Sequence, residues 1–369
     1  MNTSGVDVET IDAAAYSVPT DAPEADGTLS WDSTTIIVVS VRAGSRTGLG
    51  WTYGAAVVAD MVRGTLADVV RGSDALDVTG TFCEMVRAVR NIGRSGVAGQ
   101  AISAVDTALW DLKARLLGVP LYRLLGAVRD TVAVYGSGGF TTYDDRRLRD
   151  QLAFWTEQLR IPRVKIKIGE SWGRRENRDL DRMTHARAVI GDDVELFVDA
   201  NGAYGRKQAV RIWQAAADLG VTWYEEPVSS DDVEGLRAVR DAVGADVAAG
   251  EYGYDLYDVR RLCAAGAVDC VQVDASRCGG VTEFLRAAAV AAAHNLDVSG
   301  HCAPNLHLQV AAATPNFRHL EWFHDHTRIE HMFFDGAGQP DGGEVRMDPA
   351  VLGNGLEFKS ADAEPYRVR

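Results

Sequence analysis

Eight charged side chains, each closing a short apolar run, mark the second half of this 369-residue chain. They are Lys165 and Lys167 in RVKIKIG, Asp199 in ELFVDAN, Glu225 in VTWYEEP, Glu251 in VAAGEY, Asp274 in CVQVDASRCGG, His301 in DVSGH and Glu321 in RHLEWF. From Lys167 onward the gaps are 32, 26, 26, 23, 27 and 20 residues. Each gap holds one helix and one strand, the length of a βα unit, and a parallel barrel gathers the C-terminal ends of its strands around one mouth. Brought together there, these groups would form a metal-assisted proton-transfer site.

Asp199, Glu225 and Glu251 follow successive apolar runs and so become neighbours around the mouth. Three carboxylates suit a hard divalent cation such as Mg²⁺ that keeps positions open for water or substrate; zinc would favour His or Cys. Glu226 follows Glu225 and is expected to point the other way. Lys165 and Lys167 lie two apart on a strand and share a face. Buried together and near a dication, each disfavours the other's charge, so Lys167 is expected to lose its proton and act as a base while Lys165 stays cationic and holds a substrate oxygen. Asp274 and His301 end adjacent strands, where a carboxylate would fix the imidazole tautomer and raise its basicity. Glu321 either donates a hydrogen bond to a developing oxyanion as a neutral acid or pairs with Lys165.

The elements that must position these groups can be read from patterning. Strands are expected at 131–136, 163–168, 194–199, 221–225, 246–250, 269–274, 297–300 and 319–323, with helices such as 206–219 and 281–294 between them. This predicts an α/β fold: a (β/α)8-type barrel over 128–335 with an N-terminal α+β capping domain over 1–127 and a segment, 336–369, that returns to it. In the first domain a strand over 5–18 should lead through the loop PTDAPEADG into TTIIVVSV and turn-rich GSRTGLGWTYG, with helices at 60–71, 81–92 and 99–117. The eighth βα unit should be short or replaced, because HDHTRIEHMFFDG is a poor helix.

Composition narrows the partners. Hydrophobic content of 46% and charge of 24% suit a soluble globular protein, and a net charge of −14 argues against nucleic acid. No apolar stretch would span a bilayer, MNTSGVDVET is not expected to act as a secretory signal, and five scattered cysteines without a CxxC pair fit the cytoplasm. A homo-oligomer is the default expectation. His319, His324, His326 and His331 lack zinc-helix spacing and should mostly lie in loops or at the surface, although His324 or His326 can be in reach of a substrate. Gly279-Gly280 reads as a tight βα turn, and Trp223 and Tyr224 as core.

The ordered set KIK, VDAN, EEP, GE, VDASRCGG and SGH, with SAVDTALWDLKARLLGVPLYRLLG in the first domain, resembles the enolase superfamily and its mandelate racemase subgroup over nearly the whole chain. The resemblance implies Mg²⁺ held by Asp199, Glu225 and Glu251, with Lys167 and the His301–Asp274 dyad as bases on opposite faces of a small-molecule carboxylate. It places Lys165 and Glu321 at the substrate carboxylate, Asn201 near a substrate hydroxyl, and Arg277 where relatives often carry a basic residue. It further implies removal of a proton α to a carboxylate through an enediolate. The outcome is then either dehydration of a sugar acid to a 2-keto-3-deoxy acid, the more frequent outcome with this residue set, or racemisation or epimerisation. A non-catalytic binding relative and a Schiff-base aldolase are the other classes to separate. Residues 17–31 and 46–54 should cap the mouth. The first stretch carries Asp21, Glu24 and Asp26 but no Lys or Arg, so the far end of the substrate is expected to be neutral or cationic.

Overall fold

The computed structural model describes residues 6–368. Strands β4 (Thr131–Gly138), β5 (Arg163–Lys167), β6 (Glu195–Asp199), β7 (Val221–Glu225), β8 (Asp246–Ala249), β9 (Cys270–Val273), β10 (Asp297–Gly300) and β11 (Phe317–Phe323) run parallel in chain order. Pairing of β11 with β4 closes the barrel. All eight match the expected strands to within a few residues. Their alternation sends every second side chain inward. Tyr135, Phe197, Trp223, Ala248 and Cys270 form a buried apolar cluster, and Lys167, Asp199 and Glu225 come one alternation further along their strands.

The capping domain holds a three-stranded antiparallel sheet: β1 (Thr10–Ala25), β2 (Ser30–Ala43) and β3 (Arg46–Tyr53). Helix Val97–Leu117 packs against it and is buried on most sides from Ala98 to Leu112, where its periodicity predicts one apolar stripe, because the barrel covers its other side. One expected loop is strand instead. PTDAPEADG continues β1 to Ala25, with a register shift between Pro19 and Glu24. Its prolines are tolerated because β1 is an edge strand and need not donate to a second neighbour. GSRTGLGWTYG supplies β3, paired with β2 over eight residues. Of the expected first strand, residue 5 lies outside the described residues.

The eighth unit is also a correction: His324–Phe333 is a helix of ten residues. Tertiary contacts override its weak propensity. Buried Glu330 accepts from Trp51 Nε1 at 3.0 Å, Asn305 N at 3.0 Å and Asn305 Nδ2 at 2.6 Å, while Arg328 pairs with buried Asp325 at 2.6 Å. Past this helix the chain pairs Phe334–Asp335 with Glu357–Phe358, and Val368 N donates to Ala15 O of β1 at 2.8 Å.

Buried Asp106 of helix Val97–Leu117 helps seat the capping domain on the barrel. It accepts from Thr282 N at 2.9 Å and Thr282 Oγ1 at 2.7 Å, at the start of helix Gly280–Ala293. Gly280 has a φ of +81°, and a Cβ there would lie 2.5 Å from Asp106 Oδ2, so the paired glycines permit both the turn and the close approach.

Candidate active site

At the C-terminal ends of the strands, carboxylate oxygens of Asp199, Glu225 and Glu251 come within 4.8 Å of one another, and all three residues are buried. Lys167 Nζ meets this triad at Asp199 Oδ2. His301 Nε2 lies 3.2 Å from Glu251 Oε2, at the triad's other end. His301 Nδ1 bonds Asp274 Oδ2 at 2.8 Å, forming the expected dyad. Asp274 Oδ1 is held separately by Ser276 N and Oγ, each at 2.7 Å.

Lys165 is fully buried beneath the triad. Its amine sits 2.5 Å from Glu225 Oε1, 2.8 Å from Glu321 Oε1 and 3.8 Å from Asp199 Oδ2. Glu321 also accepts from Ser137 Oγ at 2.6 Å and Cys302 N at 3.0 Å. Of the two readings of Glu321, the ion pair with Lys165 is the one present. Burial alone would raise its pKa, but Lys165 and His301 hold it below the usual carboxylate range. Asn201, with a φ of +45°, donates its N–H to Asp199 Oδ1 at 2.8 Å, and its own buried Oδ1 has no hydrogen-bond partner. The Arg277 guanidinium lies 3.4 Å from both Glu251 Oε1 and Asp274 Oδ2, over the ring of Tyr252.

Lys165 is cationic as expected: burial lowers its pKa, but Glu225 and Glu321 raise it well above the ordinary value. For Lys167, burial and Lys165 lower the pKa as foreseen, but Asp199 more than reverses this and holds the amine protonated. The neutral amine is expected beside a bound dication, which would draw the charge of Asp199 away from Lys167. For His301 burial likewise lowers the pKa, while Cys302, Glu251 and Asp274 raise it well above that of free imidazole. Glu226 is a further correction. Its φ of +37° ends the strand alternation, and it is buried, with Glu251 and Asp199 both raising its pKa beyond the effect of burial.

The donor set fits a divalent cation. Six carboxylates (Asp199, Glu225, Glu226, Glu251, Asp274 and Glu321) are buried in this region with two lysines, Arg277 and His301, so ionising all six would exceed the four cations by two charges, an excess that a divalent cation would offset. Burial pushes Glu225 up to about 8, against the pull of Lys165. Buried Glu251 Oε2 has the His301 imidazole beside it at 3.2 Å but no well-aligned hydrogen bond among the described residues. Oxygen ligands with excess negative charge are what Mg²⁺ selects.

A cavity of about 420 Å³ opens above these groups. Lys167, Asn201, Glu251, Arg277 and His301 form its floor, and the capping domain supplies its far wall through Trp31, Thr35, Tyr53 and Gln100, among others. Residues of both expected capping stretches thus reach the mouth. Two lining residues were not singled out: Cys302, whose Sγ lies 3.3 Å from His301 Nε2, and Tyr53, whose ring stacks on His326 with centroids 3.4 Å apart. Adjacency to His301 was the available signal for Cys302; Tyr53 had none beyond its place in the second stretch. The remaining histidines scatter. His319 packs inside the barrel against Trp223, and His324 pairs with Asp21 at 3.1 Å. His331 bonds Thr327 O within its own helix.

Comparison with known proteins agrees with this architecture. Residues 147–363 match the enolase C-terminal domain-like family, and residues 10–126 match the mandelate racemase / muconate lactonizing enzyme N-terminal domain. The chain belongs to the mandelate racemase subgroup of the enolase superfamily. It is 36% identical over 262 residues to L-talarate/galactarate dehydratase of Salmonella typhimurium, covering 70% of this chain and 65% of that one. It is 33% identical over 314 residues to D-gluconate dehydratase of Thermoproteus tenax, covering 80% and 62%. Among solved structures, a mandelate racemase/muconate lactonizing enzyme-like protein from Rubrobacter xylanophilus superposes with a TM-score of 0.94 at 49% identity, covering 98% of this chain and all of that one. A racemase from Streptomyces coelicolor with bound magnesium gives 0.91 at 30% identity, with the same coverage. Among the described residues no helix is long and apolar enough to cross a membrane.

Proposed function

We propose that this protein is a Mg²⁺-dependent dehydratase of a sugar acid, converting it to a 2-keto-3-deoxy acid. The observation that carries the reading is the placement of two proton-transfer groups at opposite ends of one carboxylate triad, Lys167 at Asp199 and the His301–Asp274 dyad at Glu251. Asp199, Glu225 and Glu251 would hold the ion, which when bound polarises the substrate carboxylate and so acidifies the α-proton.

The chain's own groups do the rest. Lys167 removes the α-proton in its neutral form, which becomes accessible once the charge of Asp199 is engaged elsewhere. His301, kept protonated by its carboxylate neighbours, donates its Nε2 proton to the departing β-hydroxyl, which leaves as water. The resulting enol ketonises. Asp274 holds Nδ1–H, so the donated proton comes from Nε2. Lys165 and Glu321 form a buried ion pair below the carboxylate site and fix the positive charge there.

The same pair of groups would also support inversion at the α-carbon, as the likeness to a racemase requires be considered. Incubating the Mg²⁺-loaded protein with sugar acids in D₂O separates the readings. Formation of a 2-keto acid supports dehydration, and deuterium at the α-carbon without keto product supports racemisation or epimerisation. No exchange with any sugar acid, hydroxy acid or amino-acid derivative would defeat both.

A further inference from the structure

Among the described residues, the far wall of the mouth contains no cation. Toward the capping domain the cavity is bounded by Asp26, Trp31, Ser33, Thr35, Tyr53 and Gln100, together with small or apolar neighbours. The carboxylate of Asp26 accepts from Thr28 N at 2.6 Å and Leu29 N at 2.8 Å, which fixes a negative charge on this side. The cationic groups of the cavity all lie on the floor and are already engaged: Lys167 with Asp199, His301 with Asp274 and Glu251, Arg277 with Glu251 and Asp274. A second substrate carboxylate would lose hydration here without gaining a counter-charge, the costly case for a charge entering a site walled from water.

His326 supplies the opposite kind of group. Its Nδ1 accepts the Ala303 N–H at 3.1 Å, so the neutral ring carries its proton on Nε2. Stacking against Tyr53 fixes the ring plane, and no side chain or backbone group among the described residues bonds Nε2. Burial, with His301 nearby, pushes the pKa down to about 3, so the ring presents a neutral donor at neutral pH. A neutral donor completes a hydrogen bond to an uncharged hydroxyl, whereas it leaves the charge of a carboxylate unmatched.

We infer that the site selects a sugar acid with one carboxylate and an uncharged, hydroxylated tail, and that the fixed Nε2–H of His326 is a specificity-determining donor to that tail. This rests on the dehydratase reading but decides between monoacids and diacids, a choice that the likeness to a talarate/galactarate dehydratase would make the other way.

The test compares Mg²⁺-loaded protein on configurationally matched aldonates and aldarates, following 2-keto acid formation and, independently, binding by calorimetry. A preference in kcat/KM of about a hundredfold or more for aldonates is expected, the scale of one unpartnered buried charge. His326→Asn keeps an acceptor for the Ala303 N–H but removes the Nε2 donor. It should raise KM about tenfold while kcat changes little, the cost of one hydrogen bond. Thr35→Arg, or Ser33→Arg if the first variant does not fold, places a cation on the far wall and should raise kcat/KM for aldarates at least tenfold. Equal or better turnover of aldarates by the unmodified protein, or an unchanged KM in His326→Asn, overturns the inference and leaves dehydration standing. Failure of every sugar acid to bind or react overturns both.

Discussion

Asp274→Asn should be far more damaging than its size suggests, because the structure dictates which way the amide will face. Ser276 N–H and Oγ–H both donate to Asp274 Oδ1 at 2.7 Å, and only Oδ2 meets His301 Nδ1. In the variant the two Ser276 donors retain the amide oxygen, so the NH₂ group turns toward the imidazole. Nδ1 must then accept, and the neutral ring carries its proton on Nε2. Such a ring cannot take a proton at Nε2, and its imidazolium loses the partner that stabilised it. A wrong-tautomer substitution in a comparable dyad costs about 10⁴ in kcat, or about 5 kcal/mol of transition-state stabilisation. We expect that loss in dehydration, with Mg²⁺ affinity within a few-fold of the unmodified protein because the triad is untouched. The assay is single-turnover keto-acid formation, supported by ¹⁵N chemical shifts of the His301 ring, which report the tautomer directly. Retention of more than a tenth of the rate with an Nδ1-protonated ring would refute the reasoning.

Further consequences are accessible to thermal and kinetic measurements. Saturating Mg²⁺ should stabilise the protein, by about 2.7 kcal/mol at a hundred times Kd. Glu251→Gln should abolish that rise in Tm, and an equal rise in the variant would remove Glu251 from the ligand set. Chelation should stop turnover, and restored Mg²⁺ should recover it; full activity in a chelator would count against the triad. Asp106→Ala removes the acceptor of the Thr282 N–H and hydroxyl proton in a buried junction and should destabilise by about 3 kcal/mol in denaturant titrations, whereas a change below about 1 kcal/mol would show that water replaces the carboxylate. Buried Glu24, raised to about 8 chiefly by burial and secondarily by the charge of Asp325, binds its proton more tightly folded than unfolded. Its stabilising contribution is therefore full below pH 4.5 and is lost as pH rises through about 8. Tm should consequently fall less between pH 5 and 8.5 in Glu24→Gln than in the unmodified protein, and identical slopes would contradict the assignment.

What was legible in the chain divides along a physical line. Barrel strands are short, inward-facing at alternate positions and closed by a charged residue, so VKIK, LFVD and WYE disclosed both their faces and their ends. Residues whose place depends on packing between distant segments did not. PTDAPEADG forms strand because an edge tolerates proline, and HDHTRIEHMF is helical because Trp51, Asn305 and Arg328 satisfy its buried acids. Glu226 escaped the alternation rule because a positive φ turns the backbone just past β7. The same division runs through the site. Proton-transfer groups sit on strand ends and follow from register, whereas the groups placed to discriminate substrates (Trp31, Tyr53 and His326) reach the cavity only through the docking of the capping sheet against helix His324–Phe333. In such an arrangement selectivity can change by repacking that junction while the proton-transfer machinery stays in place. Substitutions at the junction should therefore alter KM and substrate preference before they alter kcat.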